Sequence, residues 1–119
     1  MPNDGNAYYE FLEVHGMPLA ETLDIEGFAL SAGDVLRAIE LARQCDLVIL
    51  GGDAYFVSDG QIGPPQGHYA WTTGERRREE ESPLIRRNVN ERAETAKAAI
   101  ARLTAAEGAK LWFSLVVIK

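Results

Sequence analysis

The residues with the greatest capacity for chemistry lie in the segment LVILGGDAYFVSDGQ, residues 47–61, where two glycines and a carboxylate interrupt an apolar run. Glycines beside an acidic residue occur in phosphate-binding loops and in calcium-binding loops. Neither of the glycine-rich phosphate patterns, GxxxxGK[ST] or GxGxxG, is present here, and no second carboxylate stands at ligand spacing from Asp53. The segment therefore gives no support for a bound nucleotide or metal ion.

Asp53 has two other interpretations. Its carboxylate can accept hydrogen bonds from nearby backbone N–H groups where the chain bends, as aspartates do in turns. It can also be an exposed acidic contact for a partner. Replacing Asp53 by asparagine separates the two, because this change keeps the shape and removes the charge: a structural role predicts lower thermal stability, and a contact role predicts weaker binding.

No other arrangement for catalysis or metal binding is found in the sequence. His15 and His68 are far apart and have no cysteine or acidic neighbour at zinc spacing. No serine lies in a nucleophile-elbow motif. The single cysteine, Cys45, ends an apolar-periodic segment, where a buried thiol is expected. We therefore predict a protein that is not an enzyme and that uses neither a cofactor nor a metal.

Two further segments are candidates for binding a partner. The segment GHYAWTTGE, residues 67–75, places an aromatic pair two positions apart, on one face if the chain is extended. Such rings dominate the energetics of many interfaces, but they can also pack as a lid over the sheet. The run ERRREEE, residues 75–81, is ordinarily a solvated stretch whose charges neutralise each other. The candidate partner-binding residues are Asp53, Tyr55, Tyr69, Trp71, Glu75, Glu79, Glu80 and Glu81.

Length and charge narrow the class of protein. A chain of 119 residues with 46% hydrophobic and 25% charged residues suits a single globular domain, residues 1–119. The net charge of −6 argues against nucleic acid as a partner; it is compatible with a basic protein partner and also with acidity that serves only solubility. No apolar stretch approaches the ~20 residues that cross a bilayer, and no signal-peptide pattern is present. We expect a cytoplasmic protein that does not bind membranes.

Three segments have a helical pattern, and they cover residues 8–15, residues 32–45 and a long stretch from Ser82 to the stop at Gly108. Ser31 followed by Asp34 resembles a capping box at the start of the second helix. Pro83 would occupy the first helical position of the third. The expected inward face of the second helix consists of Val35, Leu36, Ile39, Ala42 and Arg43.

Strand patterns complete the fold class. Leu47–Leu50 is apolar at every position, which is typical of a central strand covered on both faces. Asp59-Gly60 predicts a hairpin between a strand near 54–58 and one that starts at Gln61, and the prolines that follow are expected to interrupt pairing. A short strand is also expected at 28–30, and a long strand at 110–118. The predicted fold is α+β, with a mainly antiparallel sheet of three to five strands packed against two or three helices.

The adjacent Gly51 and Gly52 form either a hairpin turn or a bend within one strand. The last predicted strand needs a neighbour of comparable length, and residues 47–57 supply one only if they are continuous and bent at the glycines. We therefore favour the bent strand. If Gly52 also has a positive φ, adding a Cβ should cost about 1 kcal/mol or more.

The order of these elements resembles the immunity protein 40 family of bacterial polymorphic toxin systems. The resemblance rests on GFALS before a helix, ILGGDAY at 49–55, the DG hairpin, Trp71 and the final apolar strand, and it extends from about His15 to Ile118. It implies a protein that binds and neutralises a toxin made by the same cell. The implied partner is a cognate toxin domain, and the family does not indicate which one.

Two other functions fit the sequence. An enzyme or small-ligand binder would use a pocket around Asp53, Tyr55 and Trp71, and a shaped cavity with perturbed carboxylates would favour it. An interaction module unrelated to toxins would have the same acidic composition as an inhibitor. A flat or grooved acidic surface would favour an inhibitor of a basic toxin.

Overall fold

The computed structural model describes residues 6–19, 27–58, 61–65, 71–73, 88–107 and 111–118. These residues contain three helices and six strands, and two of the strands are only two residues long. In chain order the elements are α1 (Asn6–His15), β1 (Met17–Pro18), β2 (Phe28–Ser31), α2 (Ala32–Gln44), β3 (Val48–Ser58), β4 (Gln61–Pro65), β5 (Trp71–Thr72), α3 (Val89–Glu107) and β6 (Leu111–Ile118).

The strands form one sheet in the order β1-β2-β6-β3-β4, and the short β5 also pairs with β3. All of these pairs are antiparallel. Four strands have four or more residues, so the predicted α+β class with a mainly antiparallel sheet is confirmed. β3 as a whole is a central strand, with β6 on one side and β4 and β5 on the other; its apolar start at Val48 and Ile49 is buried, but among the described residues it pairs there with β6 alone.

The two faces of the sheet are covered differently. Ala54 and Phe113, which are paired across β3 and β6, are fully buried in the same cluster as Ile39 of α2 and Ile100 of α3. We call this side the helix-covered face. Their strand neighbours point the other way, because successive side chains alternate between faces. On this opposite face Tyr55 packs in a smaller cluster with buried side chains of the first two strands and with part-buried neighbours, namely Leu19, Ala29, Met17, Val57 and Trp112.

Helix α2 begins as the capping pattern predicts. The Ser31 hydroxyl accepts a hydrogen bond from the Asp34 N–H at 3.4 Å, and the helix ends at Gln44 with Cys45 as its cap. The predicted inward face is right at Val35, Ile39 and Ala42 and wrong at two positions: Leu36 is exposed and Arg43 is partly exposed, while Ala38 is buried instead. The spacing 35, 38, 39, 42 follows the helical stripe, and residue 36 falls outside it.

Helix α3 begins later than predicted. It starts at Val89 because Asn88 is not helical, although the Asn88 carbonyl accepts the first helical hydrogen bond from the Arg92 N–H at 2.8 Å. A single continuous helix from Ser82 is therefore not present, because the chain is not helical at Asn88. Residues 82–87, including the predicted start, lie outside the described residues.

Strand β4 corrects the expectation that prolines interrupt pairing. Ser58 pairs with Gln61, as the DG hairpin predicts, but pairing continues until Tyr55 faces Pro65. The strand is the last in the sheet order, and an edge strand tolerates proline because its outward N–H groups have no ladder partner to lose. A register shift between Tyr55 and Val57 accompanies the prolines.

Candidate functional site

The two glycines lie inside one continuous, bulged strand. Ile49 pairs with Val117 and Gly51 pairs with Val116, so Leu50 is an extra residue opposite β6. One extra residue in one strand of an antiparallel pair is a β-bulge, which bends the strand and increases its twist. The bent-strand interpretation of the glycines is therefore confirmed, and a hairpin turn at this position is excluded.

Gly52 is required by close packing and not by its backbone angle. Among the described residues, positive φ occurs at Asp46 (59°) and Gly27 (108°), so the condition of a positive φ at Gly52 is not met. A Cβ at Gly52 would overlap the Ser114 carbonyl oxygen and lie 2.8 Å from Cζ2 of Trp71. The indole ring thus packs directly against the backbone of β3, where only a glycine leaves room.

A chain of hydrogen bonds anchors the bulge to α3. Arg92 Nη1 donates to Thr73 Oγ1 at 3.0 Å, and the Thr73 hydroxyl donates to the Ile49 carbonyl. The Thr73 N–H donates to the Leu50 carbonyl at 3.0 Å. A bulge disrupts the regular ladder, and buried backbone groups need partners, so these bonds serve the carbonyls at the irregular position. Arg92 is buried, which makes it part of the support of the sheet rather than of its surface.

Of the predicted site residues, Asp53 has the surroundings of a contact residue. Its side chain is half-buried on the opposite face, across from Ser114. Among the described residues, none donates a hydrogen bond to its carboxylate or forms an ion pair with it, so the predicted bonds to nearby backbone N–H groups are not found there.

The other predicted site residues are either buried or not described. Tyr55 is 2% exposed and Trp71 is 6% exposed. Trp71 pairs with Gly52 and packs in the helix-covered cluster, whereas Asp53 and Tyr55 share the opposite face. A single pocket formed by these three side chains is therefore not present. The remaining candidates lie outside the described residues, and these are Tyr69, Glu75, Glu79, Glu80 and Glu81.

A cleft of about 500 Å³ lies beside Asp53, where α1 and the start of β2 face the second half of β6. Three residues of α1 form one wall, and residues of β6 form the other. The described lining residues are Tyr8, Tyr9, Leu12, Gly27, Phe28, Asp53, Tyr55, Ser114, Leu115, Val116 and Val117.

The cleft exists because β2 diverges from β6. The two strands pair only at Leu30–Phe113 and Ser31–Trp112. Continuing this register would place Phe28 opposite Leu115, but no such pair forms, and Phe28 pairs only with Pro18 of β1, on the other edge of β2. Gly27, at φ 108°, redirects the chain just before β2, and its carbonyl accepts a hydrogen bond from the Leu19 N–H at 3.0 Å. The cleft lies between this unpaired start of β2 and β6.

The lining of the cleft is suited to binding a cation and apolar side chains. Burial raises the pKa of Tyr8, with a smaller contribution from Tyr9, so the Tyr8 phenol stays neutral. Of the described lining residues, Asp53 alone is charged at neutral pH. At the rim, Tyr9 is exposed and Val116 is 45% exposed.

Two searches for other kinds of site cover only the described part of the chain. No three His, Cys, Asp or Glu residues there lie close enough together to hold a metal ion. Within the same residues, no helix is long and apolar enough to cross a membrane.

The fold and the cleft define a small α+β protein with a groove between β2 and β6 that is lined by one carboxylate, that of Asp53. The chain matches the family described as Immunity protein 40 over residues 18–117, and it belongs to this family. The resemblance seen in the sequence is therefore confirmed. Comparison with curated proteins and with solved structures gives no significant match. The matched range starts after α1, although α1 supplies one wall of the cleft.

Several residues of the site were not among the predicted ones. Arg92 had a detectable signal, because it lies three residues after Val89 and four before Ala96, on the apolar stripe of α3. Tyr9 and Val116 gave no such signal, since each belongs to an ordinary amphipathic pattern. Their role at the cleft follows only from the way in which β2 leaves β6.

Proposed function

We propose that this protein is the immunity protein of a bacterial polymorphic toxin system, and that it neutralises one cognate toxin by stoichiometric protein–protein contact. The observation that carries the proposal is the family match over residues 18–117. The groove beside Asp53 supports it, since a basic toxin surface would be complementary to a domain of net charge −6. The partner is a toxin domain made by the same cell, and the protein acts in the cytoplasm without a cofactor.

Asp53 is the proposed centre of the contact surface. Its carboxylate faces the cleft without a described partner, so a basic group of the toxin can approach it. Tyr55 and Trp71 support the strand from its two faces, and their buried rings offer a partner little area in this conformation. Tyr69 and the glutamates at 75, 79, 80 and 81 remain predicted contacts.

Co-expression with the toxin encoded by the neighbouring gene tests the proposed function. The toxin alone should arrest growth, the two proteins together should restore it, and the purified pair should elute as a one-to-one complex in size-exclusion chromatography with light scattering. If the wild-type chain neither rescues growth nor binds that toxin, the proposal is wrong.

The salt dependence of association tests the role of the charge. Exposed charges are screened beyond about 10 Å at 0.1 M salt, so the association rate should be high at low salt and should fall as salt rises. Stopped-flow measurement between low and high sodium chloride gives this rate directly. A rate that does not change with salt would mean that the acidity serves solubility only.

Asp53→Asn tests the proposed contact. We expect affinity for the toxin to fall while the melting temperature stays near the wild-type value, because the substitution removes a charge without removing a described hydrogen bond. Glu91→Gln, an exposed position on α3, removes the same charge away from the cleft and is the matched control. If Asp53→Asn leaves both quantities unchanged, the binding surface should be sought along residues 75–81.

A further inference from the structure

We infer that the cleft receives an extended segment of the toxin, which joins the sheet as an added strand along β6 and places a lysine or arginine beside Asp53. The inference rests on the proposed function and specifies its surface and the chemistry of the partner segment. It is carried by three features of the cleft: an unpaired strand edge, a gap beside that edge, and a half-buried carboxylate.

The edge of β6 provides backbone groups for such a strand. On one side β6 pairs with β3 from Leu111 to Ile118. On the other side β2 pairs with it only at Trp112 and Phe113, and among the described residues no strand pairs with this edge at residues 114–118. Unpaired N–H and C=O groups along a strand edge are a template for another strand, which is the basis of recognition by strand addition.

The gap beside this edge is built into the fold. Phe28 would face Leu115 if β2 continued in register along β6, but the two strands pair only at Leu30–Phe113 and Ser31–Trp112. The cleft touches Leu115 and Val117, which share the helix-covered face with Phe113, and also Ser114 and Val116, which lie on the opposite face. A cavity that touches side chains on both faces of β6 must lie beside the edge of this strand. An added strand at that edge would also direct side chains to both faces of the sheet.

The carboxylate determines the charge of the segment. A half-buried carboxylate without a partner is partly desolvated, and a cation offsets that cost. Asp53 lies one strand beyond β6, so an added strand would run about two strand spacings, roughly 9.6 Å, from it. Only a long basic side chain spans this distance. Ser114, which lies between them on the same face, is small and leaves the path across β6 open.

The other walls of the cleft indicate which residues should flank the lysine or arginine in the toxin segment. Side chains directed to the helix-covered face would meet Leu12, Leu115 and the neutral Tyr8, so apolar residues are expected at those positions. A second copy of this chain is a poorer occupant, since two molecules of net charge −6 repel each other. The segment we expect is extended, with a lysine or arginine flanked by apolar residues.

Binding of the purified toxin encoded by the neighbouring gene tests the inference with two matched pairs of variants. Val116→Lys places a positive charge at the mouth of the cleft and should weaken affinity at least about tenfold, and Asp53→Asn should weaken it by about tenfold. The controls Val14→Lys, at a valine that is 75% exposed and outside the cleft, and Glu91→Gln should stay within about twofold of wild type. All four positions leave the core intact, and matching melting temperatures would verify this.

Hydrogen–deuterium exchange of the wild-type complex supplies the second readout. Of the amides of residues 114–118, those directed away from β3 should gain protection when the toxin binds, because carbonyl groups of an added strand accept their hydrogen bonds. Protection confined to other surfaces, or wild-type affinity in both Val116→Lys and Asp53→Asn, would overturn the inference and leave the proposed function standing. A wild-type chain that does not bind the toxin would overturn both. A dimer of the free chain that Val116→Lys dissociates would assign the edge to self-association instead.

Discussion

Gly52 and Asp53 are consecutive residues of β3, yet their surroundings are opposite in kind. Gly52 lies under the ring of Trp71 on the helix-covered face, where a single added carbon would meet the Ser114 carbonyl. Asp53 points to the opposite face, into a cleft of about 500 Å³, and has no described hydrogen-bond partner. One strand therefore has a closed side at Gly52, which stabilises the fold, and an open side at Asp53, which lines the cleft.

The bulge makes this division possible. Leu50 is the extra residue, and the Thr73 hydroxyl and N–H bind the carbonyls of Ile49 and Leu50 on either side of that irregularity. Residues on the closed side are thus held by several contacts each. We expect substitutions there to change stability and substitutions on the open side to change binding, and the four predictions below test this separation.

The largest effect is expected for Gly52→Ala. The new methyl group must displace either the β6 backbone or the Trp71 ring, and overpacking of this kind should lower the free energy of unfolding by about 3 kcal/mol. Urea denaturation measures it. Gly33→Ala is the matched control, because a Cβ there has no neighbour within 4 Å and alanine favours the helix by up to about 1 kcal/mol. Equal stability of Gly52→Ala and wild type would contradict the packing of Trp71 on β3.

A smaller loss is expected for Thr73→Val. The substitution keeps the shape but removes the hydroxyl that accepts from Arg92 and donates to Ile49, so it should cost about 1 to 2 kcal/mol. Thr95→Val removes an exposed hydroxyl that donates to the Glu91 carbonyl and should change stability by less than about 0.5 kcal/mol. A Thr73→Val protein that is stable but has lost toxin affinity would break the proposed separation of the two sides.

The ion pairs between α2 and α3 should contribute less. Hydrogen bonds donated by Lys97 and by Arg43 lower the pKa of Glu40, and the hydrogen bonds that Lys97 donates to Glu40 and Glu94 raise the pKa of Lys97. The Glu40 and Lys97 side chains are 35% and 31% exposed, so solvent screening limits the contribution of the pair to about 0.5 kcal/mol.

This contribution has a defined pH dependence. A lowered carboxyl pKa stabilises the folded state above the ordinary glutamate value of 4.5, and the stabilisation is lost as pH falls through the folded pKa. Glu40→Gln should therefore be less stable than wild type at pH 7, and the difference should shrink in acid. The free energies of unfolding of Glu40→Gln and wild type, measured at pH 7 and in acid, give this difference. The more exposed Glu94→Gln is the control. A difference that grows in acid would contradict this assignment.

The smallest effect on stability is expected for Asp53→Asn. Because no described residue bonds its carboxylate, the free energy of unfolding should stay within about 0.5 kcal/mol of wild type. The difference between the stability changes caused by Gly52→Ala and by Asp53→Asn, at adjacent positions, is the most direct test of the contrast between the two sides of β3. A melting temperature far below that of wild type would show that Asp53 has a structural role, and the comparison would then fail.

Much of the framework was predictable from local patterns. The Ser31 cap, the helical stripe of α2, the DG hairpin and the alternation of β6 each depend on residues close together in the chain. The bent strand was also predictable, since only a continuous β3 could match the length of β6. The prolines of β4 were predicted wrongly, because an edge position outweighed the general rule, and the predicted helix from Ser82 is not continuous, because Asn88 is not helical.

The candidate site was predictable only in part. Asp53 stood out in the sequence, and it does line the cleft. Trp71 stood out equally, but it is buried on the other face of the sheet. A period of two separates the side chains of a strand into two sets and does not say which set the helices cover. For that reason, the aromatic and the carboxylate could not be assigned to different faces in advance.

The sequence by itself determined the α+β class, the family and the local elements, because periodicity, caps and turn residues act over a few positions. Tertiary structure alone decided where the cleft lies. β2 pairs with β6 at only two positions, and residues of α1 line the gap that this leaves. These contacts join segments that are distant in the sequence, and the local pattern of each segment does not say how close it lies to the others. The open edge of β6 could therefore be seen only in the tertiary structure.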